Sequence, residues 1–208
     1  MGRSRRSSHW GWGLRSRLTA VAIALAVAAT PLAAAATVFL SRTEAIETAF
    51  PGADHVKEQT YVLTEAQVRV IEERARTRLE SKIVTVYTGH KDGAVMGHAL
   101  IDVHVVRTQP EAFLVVISPD GQVRDVRMLA FYEPREYLPP PRWFEQFRDE
   151  RLTPELSTRR KIHSIAGATL SSRAVTGGVR RALALFEVLV VEDGVAAEPP
   201  GQAGALGR

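Results

Sequence analysis

The chain has 208 residues, of which 45% are hydrophobic and 24% charged, a composition that fits a globular domain and excludes a disordered tail or a polytopic membrane protein. Its formal charge of +4 is unevenly spread, because Arg3, Arg5, Arg6, Arg15 and Arg17 all precede the first acidic residue, Glu44. Without those five the charges nearly cancel, so the basicity does not argue for nucleic-acid binding. With no cysteine, the sequence excludes disulfides, thiolate metal sites, iron–sulfur ligation and a cysteine nucleophile, and redox chemistry would need a cofactor held by other residues.

Residues 1–17 read as a basic cytoplasmic leader and residues 18–40 as a transmembrane anchor. The run from Leu18 to Leu40 is uncharged and rich in Ala, Val and Leu, long enough for about 30 Å of hydrocarbon as a helix. The preceding arginines, with Trp10 and Trp12 at interfacial depth, place the N-terminus in the cytoplasm. The expectation is a single-pass protein of the inner (cytoplasmic) membrane whose C-terminal domain is periplasmic or otherwise extracytoplasmic. The alternative is a cleaved signal peptide, since 18–30 has h-region length and Ala33 to Ala36 supply small residues for cleavage.

Residues 41–80 read as a linker followed by a helix. Thr64 and Gln67 have capping-box spacing, which starts a charged helix from Glu65 to about Glu80 with an imperfect apolar stripe. Strands are predicted over Ile83–Tyr87, Gly97–Val106, Ala112–Ile117 and Gln122–Ala130, the last two joined into an antiparallel hairpin by Ser118-Pro119-Asp120-Gly121. In the strand after Gly97, Ala99, Ile101, Val103 and Val105 alternate with His98, Asp102 and His104. That alternation predicts an apolar core face and a polar outer face.

A connection rich in proline and aromatics follows, with Tyr132, Glu133, Tyr137, Pro139 to Pro141, Trp143, Phe144 and Phe147. A helix reaching about Val191 comes next, its buried face marked by Val175, Val179, Ala182, Leu183, Phe186 and Val190. Gly177 and Gly178 inside it predict close packing against the sheet. Residues 193–208 are rich in Gly, Ala and Pro and read as a disordered tail. The fold class is α+β: one N-terminal transmembrane helix, then an antiparallel-sheet domain over 81–192 with flanking helices.

No catalytic residue and no metal ligand set stand out. His98 and His104 are separated by about 20 Å along a strand, too far to share one ion, and Gly-x-Ser-x-Gly, dinucleotide and phosphate-loop motifs are absent from the sequence. Chemistry concentrates instead at the mouth of the last helix, in Ser164-Ile165-Ala166-Gly167-Ala168-Thr169-Leu170-Ser171-Ser172. Small residues let a ligand approach the backbone, hydroxyls add donors, and the unpaired N–H groups of a helix start favour an anion such as phosphate.

This run resembles the Ser-Gly-Ala-Thr motif of FMN-binding domains, which occur in the sodium-translocating NADH:quinone reductase and in the Rnf electron-transport complex. The resemblance covers roughly Glu80 to Glu192, with Glu133-Pro134 as a weaker match to the Glu-Thr-Pro that often follows the family's hairpin. It implies FMN as cofactor, with Thr169 as the residue esterified to the flavin phosphate by a flavin transferase. Gly167, Ala168, Leu170, Ser171, Ser172, Ser164 and Glu133 would complete the cofactor site. The transferase prefers an acidic residue six before the threonine and a Ser or Thr three before it, where this chain has His163 and Ala166. FMN binding is therefore implied more directly than its covalent attachment.

The function implied is that of an electron-transfer flavoprotein or a redox subunit of an oxidoreductase complex. It would relay electrons between membrane redox proteins or cytochromes and an acceptor such as a quinone. Trp143, Phe144, Tyr132 and Tyr137 are candidate contacts for the flavin ring, and Arg159, Arg160 and Lys161 are candidate stabilisers of a reduced anionic flavin. The competing reading is a cofactor-free extracytoplasmic domain that binds a partner protein or an envelope component.

Overall fold

The structure, a computed structural model, describes residues 37–193. It is a six-stranded antiparallel sheet with helices on both faces. The elements run β1 (Thr37–Val38), α1 (Arg42–Ala49), β2 (His55–Val62), α2 (Glu65–Ala75), β3 (Ile83–Lys91), β4 (Ala94–Val106), β5 (Gln109–Ile117), β6 (Val123–Phe131), a single helical turn α3 (Pro141–Phe144) and α4 (Thr169–Phe186). The sheet order is β1-β6-β5-β4-β3-β2.

Tight turns set this order. Asp92 and Gly93 both take positive φ (50° and 77°) and join β3 to β4 by the two-residue turn that matches strand twist. Arg107 and Thr108 join β4 to β5, and Ser118–Gln122 closes the β5–β6 hairpin through the Gly121 N–H donated to the Ser118 carbonyl at 2.9 Å. The hairpin therefore lies where the turn residues put it, and β3 and β4 extend to Lys91 and Ala94 at their shared turn.

The segment read as a linker holds more structure than expected. Ser41 and Glu44 form a reciprocal capping box that starts α1, and β2 pairs along its whole length with β3, from His55 opposite His90 to Val62 opposite Ile83. α2 starts at the expected Thr64–Gln67 box but ends at Ala75, where Arg76 takes a left-handed cap (φ 54°). Thr37–Leu40, the last residues of the expected membrane span, belong to the sheet domain. Thr37 pairs with Phe131 and Val38 with Ala130, and the Phe39 N–H donates to the Leu129 carbonyl at 2.8 Å. The rest of the span, the leader and the tail beyond Asp193 lie outside the described residues. Among the described residues no helix is long and apolar enough to cross a membrane.

The main core lies between the sheet and the face covered by α2 and α4, with Leu100, Phe113, Val115, Ile117, Val126 and Phe131 meeting Val175, Val179, Leu183 and Phe186. A smaller cluster under α1 joins Ala45, Ala49 and Phe50 to Tyr87, Ala99, Leu114, Val116 and Leu129.

The faces of β4 match the expectation only in part. Ala99 is buried under α1 as expected, with Ile101 packed beside it, but His98 and His104 of the polar face are buried too, while Val103 and Val105 are 55% and 62% exposed. The reason is twofold: α4 brings a charge of its own, Arg181, to the polar face, and α1 is too short to cover the whole apolar one.

Candidate functional site

α4 is seated by a buried ionic cluster. Arg181 donates to both oxygens of Asp102, from Nε at 2.8 Å and Nη2 at 2.6 Å. The His104 ring places Nδ1 2.7 Å from Asp102 and Nε2 2.7 Å from Glu111. Burial opposes a charge on His104, but hydrogen bonds to Asp102 and Glu111 prevail and raise it to about 9. Asp102 is likewise pushed up by burial, yet its bonds to His104 and Arg181 hold it below the usual carboxylate range. One Glu111 oxygen, Oε2, is buried with no partner. Beside this cluster Gly178 lets the helix touch the sheet, since a Cβ there would overlap the Phe113 ring and lie 2.8 Å from Asp102 Oδ1. Gly177 has no such constraint, its nearest neighbour being Thr77 Oγ1 at 3.6 Å. The close-packing expectation therefore holds for Gly178 alone.

These contacts fix where α4 begins. Phe186 lies over His98 with ring centroids 5.2 Å apart, Arg181 reaches Asp102, and Gly178 abuts Asp102 and Phe113. Followed back from Gly178 to Thr169, about 13 Å at helical rise, the axis runs toward the β4–β5 turn. Glu133 is at that end of the sheet, where its carboxylate accepts the backbone N–H groups of Thr108 (3.2 Å) and Gln109 (3.1 Å). Its oxygens hold the turn and make no hydrogen bond to the motif.

The motif itself forms a tight entry to α4. Gly167 has φ +85° with open space where a Cβ would project, so conformation rather than crowding requires glycine there. Ala168 occupies the cap position and no side chain caps the first turn, which leaves its N–H groups for solvent or a ligand. Ser172 is fully buried and structural: its hydroxyl accepts the Ile165 N–H at 3.2 Å and donates to the Ala168 carbonyl at 2.9 Å. Ser171 is buried as well. Thr169 is half-buried with a weak bond of 3.4 Å to the Ile165 carbonyl, and Ser164, Gly167 and Leu170 are exposed. A hydroxyl at an uncapped, dipole-positive helix start with an open approach fits a phosphate ester.

The aromatic connection serves mainly as packing. Trp143 meets Phe144 and Phe147 edge to face at 5.3 Å, all three lie in the core, and the Trp143 indole N–H donates to the His163 carbonyl at 2.6 Å. Gln146 accepts the His163 N–H at 2.8 Å. The connection thus pins the segment leading into the motif, through the backbone of His163 rather than its ring. Tyr137 stacks under Arg107, with the guanidinium 4.1 Å from the ring centroid. Arg160 and Lys161 are paired with Glu155 and Glu150. Among the described residues no group of three or more metal-ligating side chains could hold an ion.

Residues 109–184 match the family model of the FMN-binding domain. The match takes in β5, β6, the connection and nearly all of α4, and the cofactor it indicates is FMN. The crystal structure of NqrC from Shewanella oneidensis has a similar fold, with a TM-score of 0.50 over 68% of this chain and 85% of that one at 12% identity. No curated protein matches the sequence.

Proposed function

We propose that this chain is a membrane-anchored, extracytoplasmic flavoprotein that relays electrons through FMN joined to Thr169 by a phosphoester bond. The observation that carries this reading is Thr169 at the first position of α4, with no side chain capping the turn and open space around Gly167. Bound there, FMN supplies reversible uptake and release of electrons. The chain's part is to hold the phosphate: the first-turn N–H groups face its charge, Gly167 opens the backbone path, and Ser172 locks the turn. The buried cluster under α4 keeps that turn in place.

The uncharged apolar run over 18–36 supports a single anchor in the inner membrane. Export would give a flavin transferase access to Thr169. Membrane redox proteins or cytochromes would be the partners and a quinone an acceptor, since the chain carries no nicotinamide motif of its own.

The test is in-gel ultraviolet fluorescence under denaturing conditions, with intact mass, after co-expression with a flavin transferase. The expected result is a fluorescent band and one added FMN-sized mass. Thr169→Val should lose both while its stability stays within about 0.5 kcal/mol of wild type. A dark band from a yellow native protein would replace the covalent reading with dissociable FMN, and a colourless native protein would overturn the flavoprotein reading.

A further inference from the structure

Arg173, Thr176, Gly177 and Arg180 follow Thr169 at helical spacing and form one wall of a separate cleft of about 350 Å³. Arg76, the cap of α2, faces them, and Arg159 and Arg160 close the side, with hydroxyls from Ser157 and Thr158 between. No carboxylate lines this cleft. Of its five arginines, Arg160 alone has an ion pair among the described residues, with Glu155 at 3.1 Å.

Arg180 forms the recessed floor. It is 6% exposed, and its guanidinium donates to four backbone carbonyls, those of Ala75 (2.6 Å), Thr153 (2.6 Å), Leu156 (3.0 Å) and Arg74 (2.9 Å). Neutral carbonyls satisfy its N–H groups but do not cancel its charge, and a buried charge without a counterion is costly. Burial and the like charge of Arg76 both push Arg180 below the usual guanidinium range.

We propose that this cleft binds a small soluble anion carrying phosphoryl groups, of the size of pyrophosphate. Guanidinium forks and hydroxyls match phosphoryl oxygens in geometry as well as charge. The cleft is larger than one phosphate needs, and its arginines approach from α2, from the loop and from α4, so two linked phosphoryl groups can be held together. The depth of Arg180 favours a soluble ligand, because a flat bilayer surface would meet only the exposed rim. The site goes beyond the FMN reading and stands without it.

The experiment is calorimetric titration of inorganic pyrophosphate into the full chain in neutral detergent, with Thr169→Val as the flavin-free form alongside the flavin-loaded protein. Saturable binding of one pyrophosphate is expected in both, weakened at least about tenfold by Arg173→Ala or Arg159→Ala and less by Arg173→Lys, which keeps charge without the fork. Both arginines are exposed and without ion pairs among the described residues, so the variants should unfold at the wild-type midpoint. Absence of saturable binding, or equal affinity in the alanine variants, would overturn the proposal. So would arginine-dependent binding to phosphatidylglycerol vesicles that pyrophosphate fails to displace, or loss of pyrophosphate binding on flavin loading, which would give the cleft to the flavin's own phosphate. A dark band in the fluorescence test leaves this titration unaffected, so the two ideas fail separately.

Discussion

Arg180 and Arg181 are adjacent on α4, equally buried, and treated in opposite ways. Arg181 points into the sheet, where Asp102, His104 and Glu111 complete a set of two positive and two negative groups. Arg180 points toward α2 and meets carbonyl oxygens only. A charge neutralised within the fold fixes structure, whereas a charge left without a counterion marks a place prepared for something from outside. α4 therefore has one side that anchors it and one side whose buried charge has no counterion within the fold.

Asp102 is where this contrast can be broken most sharply. Asp102→Ala would leave Arg181 and His104 buried without the carboxylate between them, and a loss of about 3–5 kcal/mol in urea unfolding is expected. A loss under about 1 kcal/mol would show that the cluster is not what seats the helix.

The pH dependence sharpens the same point. His104 is raised in the folded state to about 9 from an ordinary 6.5, so its contribution is fully present below pH 6.5 and is lost as the pH rises through 9. It amounts to about 3 kcal/mol at most. His98 works in the other direction: burial first, and the nearby His90 charge second, lower it to about 4. Its contribution is present above pH 6.5 and fades as the pH falls to 4. Stability measured across pH 4–9.5 should therefore fall on both sides of a plateau near pH 6.5–7, and His104→Gln should flatten the alkaline limb alone.

The smallest effect comes with a change of sign. Gly178→Ala should destabilise by about 1–3 kcal/mol, because its Cβ has no room against Phe113 and Asp102. Gly177→Ala should stabilise by up to about 1 kcal/mol through helix propensity, its neighbours lying 3.6 Å or farther. Equal effects in thermal unfolding would contradict the tight seating of α4 on one side.

What could be read from the sequence was local. The Ser118–Gly121 turn, the Thr64–Gln67 box and the small-residue entry to α4 each depend on neighbours a few residues away, and each lies where expected. The Asp92-Gly93 turn and the Ser41–Glu44 box carry local signals of the same kind. β2 is harder: it is an edge strand, almost wholly exposed, so no apolar alternation announces it. The burial of the polar face of β4 is not legible, because the partner that makes Asp102 and His104 buriable lies nearly eighty residues later, at Arg181. The arginine cleft was invisible for the same reason, since Arg76, Arg159 and Arg173 come together only once α2 and α4 pack. Glu133 stands out in the sequence, whereas its bonds to the Thr108 and Gln109 N–H groups depend on residues some 25 positions earlier and are not legible there.

The two-residue strand β1 differs from the other strands in how far away along the chain its partner lies. From β2 to β6 every strand pairs with the next in sequence, through tight turns from β3 onward and through α2 between β2 and β3, so these pairings are local compared with that of β1. β1 pairs instead with Phe131 and Ala130, across nearly the whole length of the sheet-forming chain. The earliest of the six strands in the chain therefore has its partner farthest away in sequence, and without it β6 would present a wholly uncovered edge. β1 thus covers the β6 edge only at Ala130 and Phe131, and the exposed β2 forms the opposite edge of the sheet.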